Sequence, residues 1–479
     1  MALTTIQKVL LLGLTGAAVF FATYHLTESP PFTFDEGWYF QTAANLVTAN
    51  VEGIQLAPGD IEHVSTFVTV GYPLIYPLAL WFKLFGISVL SARSLMVLFI
   101  LLFLITSYVL ARKLCGVATA LAALALLATF PPLYGNGKPV LGEVPGLLYL
   151  VLSLLCLYQA RTHTLHKTFW IILTGISVGL CIVTKPLFLI MAPALLAGVY
   201  GEWKKNIFTL RDIGIGFLST LAPIAAWVVV QFRSSDSFST VLSYYANPYN
   251  TQLSTTILHN LGGLFSDVNT LYTVGIAFVW AAALWVRRTA QEDIPSEERI
   301  AFVFAMLVIL AYLRTGGFYR YLFPAQAVML IFFPHALMRI SMFAHSFFPR
   351  LQSRLVAMSF ITLLGMLGSY QVLFHSWVAE AYTSQKTAFW ESYLSEVSTT
   401  TSIFFYNAPE VAAFAPHRNY YQYIENFGRS IGADQRTAIT AGTVDRIIIQ
   451  TGWYIPTDPL FKKYTTDRTA YKYSVLRLR

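Results

Sequence analysis

The chain has 479 residues, 56% of them hydrophobic and 12% charged, with 36 Phe and 27 Tyr, a composition far outside the range of soluble globular proteins. It is that of an integral membrane protein, and its long continuous apolar runs call for bundled helices, since a membrane barrel shows only weak alternation in units of about ten residues. The net charge of +8 is spread through loops and tail, which speaks for orientation and acidic lipid head groups; no basic, aromatic-interleaved stripe points to nucleic acid.

In chain order, the first apolar run, Val9 to Phe21, is preceded by a single Lys8 and has no small-residue cleavage site before Glu28, so it reads as a retained span and not a signal peptide. Directly after it comes Thr33-Phe34-Asp35-Glu36-Gly37-Trp38-Tyr39, two carboxylates at a membrane rim beside interfacial aromatics. Thr33 and Glu36 have capping-box spacing, and Gly37 to Asn50 is expected as a helix lying along the membrane surface. On the residues alone, the acidic pair equally well does no more than start that helix. Gly71 to Gly86 is hydrophobic but interrupted by Pro73 and Pro77, and is expected as a second surface helix on the outer face.

Basic clusters at Arg112-Lys113, Arg161 to Lys167, Lys204 to Arg211, Arg287-Arg288 and Arg339 to Arg354 are expected on the cytoplasmic side. They anchor eleven predicted spans, at about 8–26, 93–111, 114–134, 142–158, 169–184, 186–200, 210–232, 271–287, 300–315, 321–339 and 355–374. Cys115, Cys156 and Cys181 lie within apolar runs and read as packing residues. After His375 the charge rises, and Ser402 to Tyr406, Arg446 to Gln450 and Tyr473 to Leu478 have strand length, with a helical stretch expected over Tyr420 to Ser430. The expected fold is therefore an all-α polytopic bundle, residues 1–374, with surface helices in its first outer loop and a small extracytoplasmic α/β domain, residues 375–479.

This topology gathers polar residues on the outer face: Asp35, Glu36, Glu62 and His63, then Lys138, Glu143 and Lys185, a long fourth loop from Asp236 to Asn269, and Arg314, Tyr319 and Arg320. Each alone is ordinarily a solvated loop charge, but carboxylates and cations converging at one boundary point to a functional site. Glu143 and Lys185 adjoin Pro145 and Pro186, where a helix starts and a charge faces the bundle mouth.

Phe34-Asp35-Glu36-Gly37-Trp38-Tyr39, Gly71-Tyr72-Pro73-Leu74-Ile75-Tyr76-Pro77, Phe85-Gly86-Ile87-Ser88 with Arg93, Gly142-Glu143-Val144-Pro145, Thr184-Lys185-Pro186 and Arg320-Tyr321-Leu322-Phe323-Pro324 together resemble the GT-C superfamily of integral membrane glycosyltransferases. The chain is similar to its dolichyl-phosphate-mannose protein mannosyltransferase branch and to the bacterial lipid A aminoarabinose transferases. The resemblance implies transfer of a hexosyl or pentosyl group from a polyprenyl-phosphate-linked sugar to a protein, lipid or glycan acceptor on the non-cytoplasmic face of the plasma (inner) membrane. Such a role belongs to protein glycosylation, lipopolysaccharide modification or other cell-envelope chemistry.

Within that resemblance Asp35 is the catalytic base and Glu36 its catalytic neighbour, in an inverting single displacement. Lys185, Arg320 and Tyr321 would hold the donor phosphate, and Lys138, Glu143 and Tyr319 would form the active-site rim. Glu62 and His259 stand where the aminoarabinose transferases have metal-binding residues, so a divalent metal is an expectation resting on two ligands, with His63 as a substitute for His259. Two other classes compete. A transporter or flippase would carry ionisable residues mid-span and paired broken helices, and an O-antigen ligase would place its dominant polar loop late in the chain.

Overall fold

The computed structural model describes residues 3–479 apart from 64–69, 164, 233–251, 267, 348–352, 371–373, 375–384, 416–417, 426–430 and 456. Helix α1, Thr5–Thr23, is followed by α2, Phe34–Ala49, a hairpin of β1, Gly53–Ala57, and β2, Asp60–His63, and then α3, Tyr72–Phe85. The bundle continues through α4, Val89–Cys115, α5, Val117–Ala128, α6, Pro131–Gly137, α7, Glu143–Thr162, and α8, Lys167–Thr184. A 3₁₀ turn, Pro186–Ile190, leads into α9, Met191–Lys204, and α10, Leu210–Gln231, precedes α11, Leu253–Ser266, and α12, Val268–Thr289. The bundle closes with α13, Ser296–Tyr312, α14, Phe323–Phe347, and α15, Ser353–Tyr370.

Seven of these are long and apolar enough to cross a membrane, and α5 with α6, bent by 59° at their junction, would form an eighth. Each of the eleven predicted runs coincides with a helix, but α12, α13 and α15 fall short of the length and apolarity that identify a span. The bend has a plain cause. Phe130 N–H turns back to the Leu127 carbonyl at 3.2 Å, and the next two residues, Pro131 and Pro132, have no N–H to continue the ladder.

The loops hold more structure than the sequence pattern shows. Helix α2 is more enclosed than a helix exposed on a surface: Glu36 to Ala43 are buried between the bundle and the carboxy-terminal region, which covers the helix's outer face. Its bundle side packs on α3, with Phe40 and Phe82 ring centroids 5.0 Å apart. The loop after α2 holds a hairpin whose turn is allowed by Gly59 at φ +79°. The long fourth loop, much of it outside the described residues, contains α11.

The carboxy-terminal region begins with α16, Lys386–Ser395, then β3, Ile403–Tyr406, α17, Pro409–Ala412, β4, Tyr420–Tyr423, α18, Ala433–Ala441, β5, Arg446–Gln450, β6, Tyr464–Ala470, and β7, Tyr473–Leu478. Its sheet has the order β4-β3-β5-β7-β6, the first three strands parallel and the last two antiparallel. Three strands fall where expected, whereas Tyr420 to Tyr423 is the strand β4 and not the start of a helix. Three tyrosines in four residues suit a pleated surface, and pairing with β3 settles the choice. Successive residues of β3 and β5 alternate between two cores, Ile403, Phe405 and Ile448 on one side, Phe404, Ile447 and Ile449 on the other.

The bundle end opposite the first loop is tied by ion pairs. Arg161 reaches Glu297 at 3.1 Å, Arg299 reaches Glu202 at 2.6 Å, Arg287 reaches Glu298 at 2.6 Å and Arg339 reaches Glu292 at 3.1 Å. The predicted cytoplasmic arginines therefore converge on carboxylates from neighbouring elements.

Candidate active site

Asp35 and Glu36 are the first two acidic residues of α2, and one step of about 100° around a helix separates their directions. Glu36 turns inward. Its carboxylate is fully buried and grips Arg93 of α4 in two bonds, Nε to Oε1 at 2.8 Å and Nη2 to Oε2 at 2.7 Å. It also accepts from Val140 N–H at 3.2 Å and from Thr33 N–H at 3.4 Å, the second being half of the expected capping box. Arg93 in turn donates to the Leu26 and Pro30 carbonyls, both at 2.8 Å. The expectation that Glu36 is catalytic thus meets a carboxylate saturated by protein donors and closed to substrate.

Asp35 turns the other way, into a cavity of about 270 Å³ lined by Thr33, Phe34, Gly135, Asn136, Pro139, Leu141 and Arg320. There its Oδ2 accepts from Arg320 Nη1. The two side chains remain 26% and 30% exposed, so this pair, unlike Glu36–Arg93, is open to a ligand. Burial works against the Arg320 charge, but Asp35, then Glu143 and Tyr321, more than offset it and hold the guanidinium firmly protonated.

Of the other expected phosphate-site residues, Lys185 donates to the Glu143 carboxylate, both buried. Two cations lie near the Tyr321 ring, Arg320 Cζ at 5.2 Å and Lys185 Nζ at 6.0 Å from its centroid. Arg320, Tyr321, Lys185 and Glu143 are therefore brought together beside Asp35. Two expected rim residues are placed elsewhere. Lys138 is fully buried and donates to the Tyr24 carbonyl at 2.8 Å; burial, then Arg93, pulls its pKa down to about 7. The Tyr319 hydroxyl donates to Gln326 inside the bundle.

The expected metal ligands do not meet. Glu62 lines a separate cavity of about 290 Å³ between the hairpin and the carboxy-terminal region, together with Asp60 and Asp434. His259 is exposed on α11. The His63 ring nitrogens face the Glu52 carbonyl at 2.8 Å and the Gln231 carbonyl at 3.1 Å. Among the described residues no three His, Cys, Asp or Glu side chains converge as a divalent metal would need.

Sequence reasoning missed Gly135 and Asn136, which the bend at Pro131-Pro132 swings into the Asp35 cavity; the proline pair was the available signal. Arg93 stands in the sequence only as part of a motif, and its buried pairing with Glu36 emerges from the fold.

Residues 70–244 match the family model of dolichyl-phosphate-mannose-protein mannosyltransferase. No curated protein matches the chain. Among solved structures, ArnT from Cupriavidus metallidurans bound to undecaprenyl phosphate superposes with a TM-score of 0.68 at 11% identity, covering 99% of this chain and 98% of that one. The Archaeoglobus fulgidus oligosaccharyltransferase in its apo form superposes with a TM-score of 0.58 at 13% identity, covering 96% of this chain and 72% of that one. The expected resemblance is borne out as a likeness: the chain has the helices of a multi-pass membrane protein, matches the dolichyl-phosphate-mannose-protein mannosyltransferase model over residues 70–244, and shares the fold of ArnT and the archaeal oligosaccharyltransferase.

Proposed function

We propose that the protein transfers a sugar from a polyprenyl-phosphate donor to an acceptor hydroxyl at the extracytoplasmic face, with Asp35 as general base. The observation that carries this reading is the Asp35–Arg320 pair in one open cavity. The acceptor oxygen attacks the anomeric carbon, its proton passes to the Asp35 carboxylate, and the bond to the phosphate oxygen breaks with its electron pair leaving on the lipid phosphate. A single displacement of this kind inverts the anomeric carbon. No general acid is needed, because the phosphate leaves as an anion that Arg320 can hold by two oxygens, with Lys185 and Tyr321 behind it.

The same pair supplies an order of events. Without donor, Arg320 occupies Asp35. A donor phosphate competes for the guanidinium and releases the carboxylate beside the anomeric carbon, free to take the proton of the attacking acceptor hydroxyl. Glu36, held by Arg93, positions the start of α2 and does not itself meet substrate. The phosphate-binding reading takes support from ArnT, whose structure along its full length resembles this chain and holds undecaprenyl phosphate.

The same reading includes eleven crossings. The carboxy-terminal region docks on the first loop, as in the Gln41 Nε2 bond to the Pro409 carbonyl at 2.8 Å, so both lie on one side of the membrane. Helix α13 runs from Glu297, paired with Arg161 at the far end, to Tyr312 just before Arg320, which meets Asp35. On this reading α12, α13 and α15 cross as well and connect the two ends.

The test is transfer by purified Asp35→Asn from undecaprenyl-phosphate sugars. The expected rate is lower by about 10²–10⁴-fold, as for loss of a general base. Binding of sugar-free undecaprenyl phosphate should be kept or tightened, because Arg320 loses its competitor. Transfer at the wild-type rate would remove Asp35 from the chemistry.

A further inference from the structure

The segment that carries Asp35 is held from the side away from the bundle by the carboxy-terminal region. Thr387 and Ala388 N–H groups donate to Glu28 at 3.3 and 3.1 Å. Lys386 Nζ donates to the Phe32 carbonyl at 2.9 Å and reaches Glu410 at 3.4 Å. Glu410 is itself buried and also pairs with Lys472 at 2.9 Å. At Gly37 two backbones touch, since a Cβ there would stand 2.5 Å from Glu410 Cα, an atom that cannot swing aside. Gly37 is two residues beyond Asp35, about 200° around the helix, so the contact presses on the face of α2 roughly opposite the one that bears the carboxylate.

We propose that the carboxy-terminal domain is a positioning part of the active site, in which Lys386 and the Gly37–Glu410 contact fix the direction of Asp35. The proposal rests on Asp35 being the base. A domain that only covered the site or bound acceptor would have no need to anchor both flanks of Asp35, at Phe32 on one side and at Gly37 and Gln41 on the other. Burial of Lys386 works against its charge, and Glu410 3.4 Å away offsets part of that cost while the amine donates to the Phe32 carbonyl. Small displacements of a catalytic group are expensive: a shift of about 1 Å can cost about a hundredfold in rate.

The experiment uses the full chain in detergent or nanodiscs, first with a panel of undecaprenyl-phosphate hexoses and pentoses to find the donor that wild type turns over. With that donor, Lys386→Met and Gly37→Ala should lower kcat by about 10–100-fold. The donor KM and the affinity for sugar-free undecaprenyl phosphate should stay within about twofold, since the phosphate site is untouched. Amide exchange over residues 33–41 should speed up in both variants, and Lys386→Arg should restore most of the rate, because it can still donate to the Phe32 carbonyl. Wild-type kcat in Lys386→Met, unchanged exchange over 33–41, or losses that track undecaprenyl-phosphate affinity would overturn the proposal. Should Gly37→Ala fail to fold, Lys386→Met and its arginine rescue decide the matter. If wild type transfers none of the sugars, the reading of Asp35 fails, while the exchange measurement still reports whether the domain holds the segment.

Discussion

Asp35 and Glu36 are chemically near-identical neighbours, and the fold gives them opposite surroundings through one step of helix rotation. Glu36 is enclosed with Arg93, both fully buried. Removing one member of such a pair leaves an uncompensated charge, at a cost of about 3–5 kcal/mol. Glu36→Gln is therefore expected to lower the melting temperature and the yield of folded protein, whereas Asp35→Asn, at a partly exposed site, should leave both nearly unchanged. Differential scanning fluorimetry in detergent separates the two, and equal thermal losses would contradict the division. Arg320→Ala should weaken binding of sugar-free undecaprenyl phosphate, and Arg320→Lys should only partly recover it, since an ammonium offers a point charge where the planar fork grips two oxygens. The acidic pair and its capping spacing were legible in the chain. Which carboxylate faces the cavity was not, because that depends on Arg93, 57 positions away, and on Arg320, 285 positions away.

At the scale of elements, the junction of α5 and α6 governs what shares a wall with Asp35. Pro131 and Pro132 deny the ladder two donors, the chain turns by 59°, and Asn136 comes to line the cavity. Replacing both prolines by alanine removes the obstacle to a straight helix, since an interior proline disfavours continuation by about 3 kcal/mol. The expected outcome is a loss of transfer and of undecaprenyl-phosphate binding with little thermal destabilisation; full activity would show that the bend does not shape the site. The helix periods and the strands at 403–406, 446–450 and 473–478 were readable because their apolar patterns are local. The hairpin, β4 and the burial of α2 were not. The hairpin is four or five residues a side with polar members, β4 is chosen by its partner β3, and α2 is buried only because a domain more than 340 residues later folds over it, through Lys386 and the Phe32 carbonyl among others.

For the whole molecule, the ends of the helices constrain how often the chain crosses. On the proposed topology the first loop and the carboxy-terminal region, which touch, share one side, so the crossings from α1 to the tail are odd in number, nine or eleven where length and apolarity alone pick out seven or eight. Nine and eleven differ in whether α12 and α13 cross as a pair. At about 1.5 Å per residue, α12, α13 and α15 are about 33, 26 and 27 Å long, enough for a hydrocarbon core of about 30 Å with slight thinning. Arg287 at the end of α12 and Glu298 at the start of α13 pair with each other in the arginine-rich cluster that also holds Arg161 and Arg339, which the positive-inside rule assigns to the cytoplasm. Single cysteines placed at Asp60, Gly316 and Gly432, all exposed, in a background lacking Cys115, Cys156 and Cys181, should therefore react with an impermeant maleimide in intact cells. Cysteines at Lys205, Gln291 and Ser346, also exposed, should react only after permeabilisation. Gln291 decides between the two counts, since labelling there from outside would leave α12 and α13 on the outer side and reduce the crossings to nine. Labelling of Gly432 only after permeabilisation would separate the tail from the first loop and break the docking on which both the topology and the positioning of Asp35 depend.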